Sequence, residues 1–168
     1  VNPVRDKEII DAELQIKDLE TIDSRIAKVQ KQAQTGGDKQ AKQAYEVLVK
    51  FKEALEQGKS ARTVTFETKD EQKIAHDLFL LTSKPVMYVC NVDEASAVKG
   101  NKYVDAVREA VKDENAEILV VAAKIESEIA EFETYDERQM FLEEIGLEES
   151  GVSRLIKSAY NLLNLQTY

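Results

Sequence analysis

Pro85-Val86-Met87-Tyr88-Val89-Cys90-Asn91-Val92-Asp93-Glu94 is the stretch on which the fold turns. Its first six residues are a β-rich apolar run, long enough for one buried strand, and its last four open a polar loop. Some thirty residues later Ile118-Leu119-Val120-Val121-Ala122-Ala123 repeats the apolar run. Between the two lies a helical pattern with Val104, Val107 and Val111 on one face. Strand, helix, strand with continuously apolar strands predicts a parallel sheet covered on both faces. Two strands cannot bury both faces of a sheet, so its cover must come from a second copy or from chain outside this sequence. Further helical patterns follow from about Ile125, from Tyr135 to Ile145 with Gly146 as the stop, and over Leu155, Ile156, Ala159, Leu162 and Leu163.

Upstream of that stretch the texture is helical. Ile9, Ala12, Ile16 and Leu19 form one stripe at helical spacing, and Ile22, Ile26, Val29 and Ala33 form another. The shift between the stripes predicts that the two parts of this long helix face different neighbours. Gly36-Gly37, flanked by Thr35 and Asp38, ends it and can cap the next, where Ala41, Ala44, Leu48, Phe51 and Leu55 repeat the spacing up to Gly58. So short a connection makes the pair an antiparallel coiled-coil hairpin. A connector follows, with a short extended piece expected at Thr63-Val64-Thr65-Phe66. Thr68-x-x-Glu71 is a capping-box spacing that opens a helix through Ile74, Leu78 and Leu81. The fold class is therefore helix-rich α/β, a partial parallel Rossmann-like sheet beside a helical hairpin.

The formal net charge of -9 argues against the chain as a whole binding polyanions. One cysteine, Cys90, excludes an internal disulfide framework and fits a reducing cytoplasm. Neither a signal-peptide pattern nor an apolar run of the roughly 18 residues that span a membrane is present. The opening Val1-Asn2-Pro3-Val4-Arg5-Asp6 reads as mid-sequence.

Ligands of parallel α/β sheets bind at the carboxyl ends of the strands. Asn91-Val92-Asp93-Glu94 leaves the first strand and Ala122-Ala123-Lys124 leaves the second. P-loop GTPases hold an Asn-Lys-x-Asp motif and a Ser-Ala-Lys-like loop at these two places. There the Asn amide tethers neighbouring loops, the terminal carboxylate accepts from the guanine N–H groups, and a backbone N–H of the second loop donates to the exocyclic oxygen. The tetrad alone also suits a solvated strand-end turn; it is the paired placement that raises the functional reading.

Pro3-Val4-Arg5-Asp6, Leu81-Thr82-Ser83-Lys84-Pro85-Val86, Asn91-Val92-Asp93-Glu94, Ala123-Lys124-Ile125-Glu126, Gly146-Leu147-Glu148-Glu149-Ser150-Gly151 and Leu165-Gln166-Thr167-Tyr168 together resemble the YchF subfamily of Obg-like P-loop ATPases, in order and over essentially the whole chain. The resemblance implies a G domain interrupted by a coiled-coil domain. Residues 1–18 would lead from the G domain into the hairpin, 19–68 form it, and 69–168 supply the C-terminal half of the G domain. The P-loop half and a TGS domain would lie outside this sequence. It further implies a cytoplasmic NTP hydrolase preferring ATP to GTP, with Mg²⁺, whose phosphate-binding Lys, Mg²⁺ ligand and switch residues lie upstream of Val1; the chain alone would then be inactive. Asn91 and Glu94 would frame the base pocket, Val92 would lie beside the adenine ring, and Ala123 and Lys124 would form the second base loop. Adenine lacks guanine's 2-amino group and N1–H, so a carboxylate placed for guanine finds no donor there. Asn2 departs from the usual Asp, and Ala122 from the usual Ser or Cys.

The remaining reactive residues carry less. Gly58-Lys59-Ser60 resembles the end of a phosphate loop, but Glu53 stands where that motif needs Gly, so Gly58 is read as a helix cap. His76 lacks a second His or Cys at metal-ligand spacing, and Cys90 is read as a buried strand residue rather than a nucleophile. Glu126, Glu128, Glu131, Glu133, Asp136 and Glu137 read as solvated helix faces. Lys28, Lys31, Lys39, Lys42, Lys50, Lys52, Lys59 and Arg62 concentrate positive charge on the hairpin. They suit a solvated surface, or a phosphate contact to RNA or the ribosome through Lys28, Lys31, Lys39 and Lys42. The alternative function is thus a coiled-coil adaptor for RNA or protein, without catalysis. Exposed strand edges also predict self-association.

Overall fold

A computed structural model of the chain describes residues 1–34 and 39–166, and divides them into two compact units, Arg5–Lys84 and Val1–Val4 with Pro85–Tyr168. The turn expected at Thr35-Gly36-Gly37-Asp38, and the Thr167-Tyr168 end of the chain, lie outside the described residues.

The first unit is built on two helices, α1 (Pro3–Gln34) and α2 (Lys39–Glu56). Gln15 Nε2 donates to Gly58 O at 3.1 Å and Lys52 Nζ to Asp23 Oδ1 at 2.6 Å, so positions rising along α1 meet positions falling along α2 and the pair is antiparallel. Ile22 of the second stripe is buried with Val47, Leu48, Phe51 and Leu55, and Ile26 and Val29 pack on them. Ile9 and Ile16 of the first stripe are 47% and 56% exposed. Helix α2 ends in a Schellman motif: Gly58 at φ +70° donates to Leu55 O at 2.9 Å and Lys59 to Ala54 O at 2.9 Å. That left-handed residue is the cap which the sequence predicts.

In the connector Ala61–Thr63 is a 3₁₀ turn and Val64 leaves it in the extended conformation, as expected, without pairing to another strand; Val64 and Phe66, two residues apart and so on one side, both pack on the hairpin core. The Phe66 ring meets Phe51 edge-on at 5.1 Å between centroids. Helix α3 (Lys69–His76) starts with the expected box, Thr68 and Glu71 each bonding the other's backbone N–H. It stops short of Leu78 and Leu81, where Phe79 takes a left-handed φ of +51°; beyond it Leu81–Ser83 form a second 3₁₀ turn, the Leu81 and Thr82 N–H groups donating to Asp18 of α1, both at 2.7 Å. Ile74, Ala75, Leu78 and Leu80 belong to the hairpin's core, so residues 69–84 pack with the hairpin.

In the second unit β1 (Met87–Asn91) and β2 (Glu117–Val121) pair in parallel, from Met87↔Glu117 to Asn91↔Val121. The crossover that parallel strands require is α4 (Lys102–Ala110), capped by Asn101 and burying Val104 and Val107. Helices α5 (Ala123–Glu131), α6 (Tyr135–Ile145) and α7 (Gly151–Leu162) follow. Ala97, Ala122, Ile125, Ile129 and Leu142 make this unit's core. Leu155 and Ile156 of α7 remain exposed. Among the described residues no helix is long and apolar enough to cross a membrane.

Candidate nucleotide-base site

The register brings the carboxyl ends of both strands level, Asn91 opposite Val121. Val92 N–H donates to Val121 O at 2.8 Å, extending the ladder one step into the loop, while the Val92 side chain packs on the Ala97–Ala122–Ile125 cluster. Asn91 Oδ1 accepts the Ala123 N–H at 3.1 Å, tying the loop after β2 to the end of β1. Asp93 caps a 3₁₀ turn over Glu94–Ser96, accepting the Ser96 N–H at 2.9 Å. That turn presents the Glu94 carboxylate, which forms an ion pair with Lys124 at the start of α5. Hydrogen bonding to Glu94, and then its charge, push the Lys124 ammonium pKa up. Asn91, Val92, Glu94, Ala123 and Lys124 therefore stand on two adjoining loops, Asn91, Glu94, Ala123 and Lys124 exposed and Val92 half-buried.

Beneath these loops is a brace that the sequence pattern misses. Glu126 is no solvated acid: its carboxylate accepts the Gly151 N–H at 2.6 Å and the Val152 N–H at 3.2 Å, pinning the start of α7 against α5. A Cβ at Gly151 would stand 2.8 Å from Glu126 Oε1 and 2.8 Å from Val121 Cγ1, so only glycine allows that approach. Arg154 Nη2 donates to Val120 O at 2.9 Å from the same helix. The available signal was a glycine opening a helix, just after the N-cap Ser150.

Cys90 is half-buried in β1, and burial raises its thiol pKa. His76 is exposed beside Asp77, Nδ1 to Oδ1 3.5 Å. Among the described residues no three His, Cys, Asp or Glu side chains stand together as metal ligands. Of the hairpin's basic residues, Lys28, Lys31, Lys39 and Lys42 are exposed. Lys50 pairs with Glu71 and Lys52 with Asp23, and Arg62 donates to the carbonyls of Thr82 and Lys84.

No family model matches the chain. All of it aligns, at 51% identity over 170 residues, with the ribosome-binding ATPase YchF of Bacillus subtilis. The chain belongs to the YchF family. The YchF of Escherichia coli O157:H7 is 42% identical, and the Obg-like ATPase 1 of Rattus norvegicus 34%, each again over all of this chain. The chain spans about half the length of the curated relatives it matches, 46%, 45% and 43% of these three. The solved structure of the Schizosaccharomyces pombe YchF GTPase superposes with a TM-score of 0.87 at 25% identity, over 98% of this chain and 45% of that one. The helix-rich α/β arrangement with its short parallel sheet is thus that of a region of the YchF P-loop NTPase fold.

Proposed function

We propose that this chain is the base-recognition part of a YchF-type hydrolase that prefers ATP and takes GTP less well. The observation that carries the reading is the bond from Asn91 to Ala123 N–H, which joins the two loops at the carboxyl edge of a parallel sheet, where such folds hold nucleotides. Asn91 and Glu94 frame the base, Val92 offers its backbone beside the adenine ring, and Ala123 and Lys124 close the second side. The names of the relatives support hydrolysis but divide on the nucleotide, ATPase in the bacterial and rat proteins and GTPase in the yeast one.

Hydrolysis depends on positioning and neutralising the γ-phosphate, charge stabilisation that Mg²⁺ supplies when bound. The residues of this chain do not fit that role, since among those described none cluster as metal ligands and Gly58-Lys59-Ser60 is a helix cap rather than a phosphate loop. Phosphate and Mg²⁺ groups would come from outside this sequence, and the chain alone is inactive. The test is Glu94→Asp in a full-length protein carrying a phosphate loop. Shortening the carboxylate arm moves selectivity from ATP toward GTP, and an unchanged ratio of affinities contradicts the role of Glu94.

A second reading rests on the hairpin, whose exposed Lys28, Lys31, Lys39 and Lys42 suit phosphate contacts in a cytoplasmic partner such as the ribosome named for the relatives. Binding of ribosomal RNA should then fall with salt. It should also be lost when these four lysines become glutamate; binding that survives the change excludes the hairpin.

A further inference from the structure

Lys124 occupies an electrostatically poor place. It stands in the first turn of α5, at the positive end of the helix dipole, where a cation is disfavoured. Its ammonium reaches from the loop after β2 to the loop after β1 and pairs there with Glu94. The side chains are 71% and 49% exposed, and ion pairs in such water contribute little to folding. The pair does, however, lie across the two loops assigned to the base.

Guanine differs from adenine in presenting donors at N1 and the 2-amino group and an acceptor at O6. Reading guanine therefore takes a free carboxylate for the donors and a free backbone N–H for the oxygen. Neither is free here, since Glu94 is held by Lys124 and the Ala123 N–H by Asn91 Oδ1 at 3.1 Å. Resting on the base-site reading above, we propose that Lys124 is a specificity-determining residue, locking the Glu94 carboxylate against guanine and so favouring adenine. The charges acting on Lys124 fit such a lock: Glu94 first, and more weakly Glu128 of the same helix, hold it protonated.

The experiment uses the full-length, phosphate-loop-bearing protein with ATP and GTP carrying a fluorescent group on the ribose, which leaves the base unmodified, in Mg²⁺ buffer. Wild type binds ATP the more tightly. Lys124→Met keeps the aliphatic stem, removes the charge and improves GTP binding relative to ATP by roughly ten-fold, the scale of one charge-assisted hydrogen bond. Lys124→Arg restores the pair and the preference. The gain for GTP disappears in the double variant Lys124→Met, Glu94→Ala, which has no carboxylate to release. If Lys124→Met leaves the ratio unchanged while Asn91→Ala weakens both nucleotides, the lock is wrong and the base site stands. If Asn91→Ala also changes nothing, the base site falls and takes the lock with it. A wild type that binds both nucleotides equally overturns the lock as well.

Discussion

Asp18 is 2% exposed and commits both carboxylate oxygens: Oδ1 accepts Leu81 N–H, and Oδ2 accepts the N–H and hydroxyl of Thr82, all at 2.7 Å. The Thr82 hydroxyl in turn accepts Ala61 N–H at 2.8 Å, so one acid anchors both 3₁₀ turns of the connector. Asp18→Ala should therefore cost about 3 kcal/mol in urea unfolding, because it strands buried donors as well as removing bonds. A loss below about 1 kcal/mol would mean that water replaces the carboxylate. Nothing in the sequence marks Asp18, which reads as one more polar residue of α1; its partners are 63 and 64 positions away. Glu126 was illegible for the same reason, its bonds spanning 25 and 26 positions. By contrast Asn91 and Glu94 were legible, since their place at a strand end follows from the apolar run before them. Which group answers Glu94 was not, as Lys124 comes from a loop 30 positions on.

Among the elements, those set by local spacing were read correctly. The box at Thr68 forms, and α6 spans Tyr135–Ile145 up to Gly146 as its pattern requires. The end of α3 was not, since the helix breaks at Phe79, whose φ of +51° no spacing in the sequence announces. The α3 box also makes a pH-dependent contribution. Hydrogen bonding to Lys50, and then to the Thr68 N–H and hydroxyl, lowers the Glu71 pKa from 4.5 to about 2. A depressed carboxylate stabilises the fold fully above its unfolded pKa, and the contribution fades as pH falls from about 4.5 through about 2. Lys50→Met should accordingly lower Tm near neutral pH, with the gap to wild type closing in that acid window. A gap that does not change with pH would locate the effect in the Lys50 ammonium, which lies 5.4 Å from the Phe66 ring centroid, rather than in its pairing with Glu71.

At the scale of the molecule, the chain leaves apolar surface in water. Val89 in the sheet is 51% exposed, and Ile156 and Leu163 at α7 are 53% and 54% exposed. Half-covered sheets of this kind associate, so the isolated chain should scatter light with a mass above one monomer; a monomeric mass refutes this. The two-strand sheet was legible from its apolar runs, and the chain divides at Lys84/Pro85, where the texture changes; the packing of residues 69–84 on the hairpin was not legible, because it leaves no mark in composition. On the proposed function, this sequence reads a base without holding phosphates. It is tested most directly by titrating the 168-residue chain, beside a protein extended to include a phosphate loop, with ribose-labelled ATP in Mg²⁺ buffer. Binding by the extended protein and none by the isolated chain is the expected result. Tight binding by the isolated chain would place phosphate contacts within these residues and contradict it.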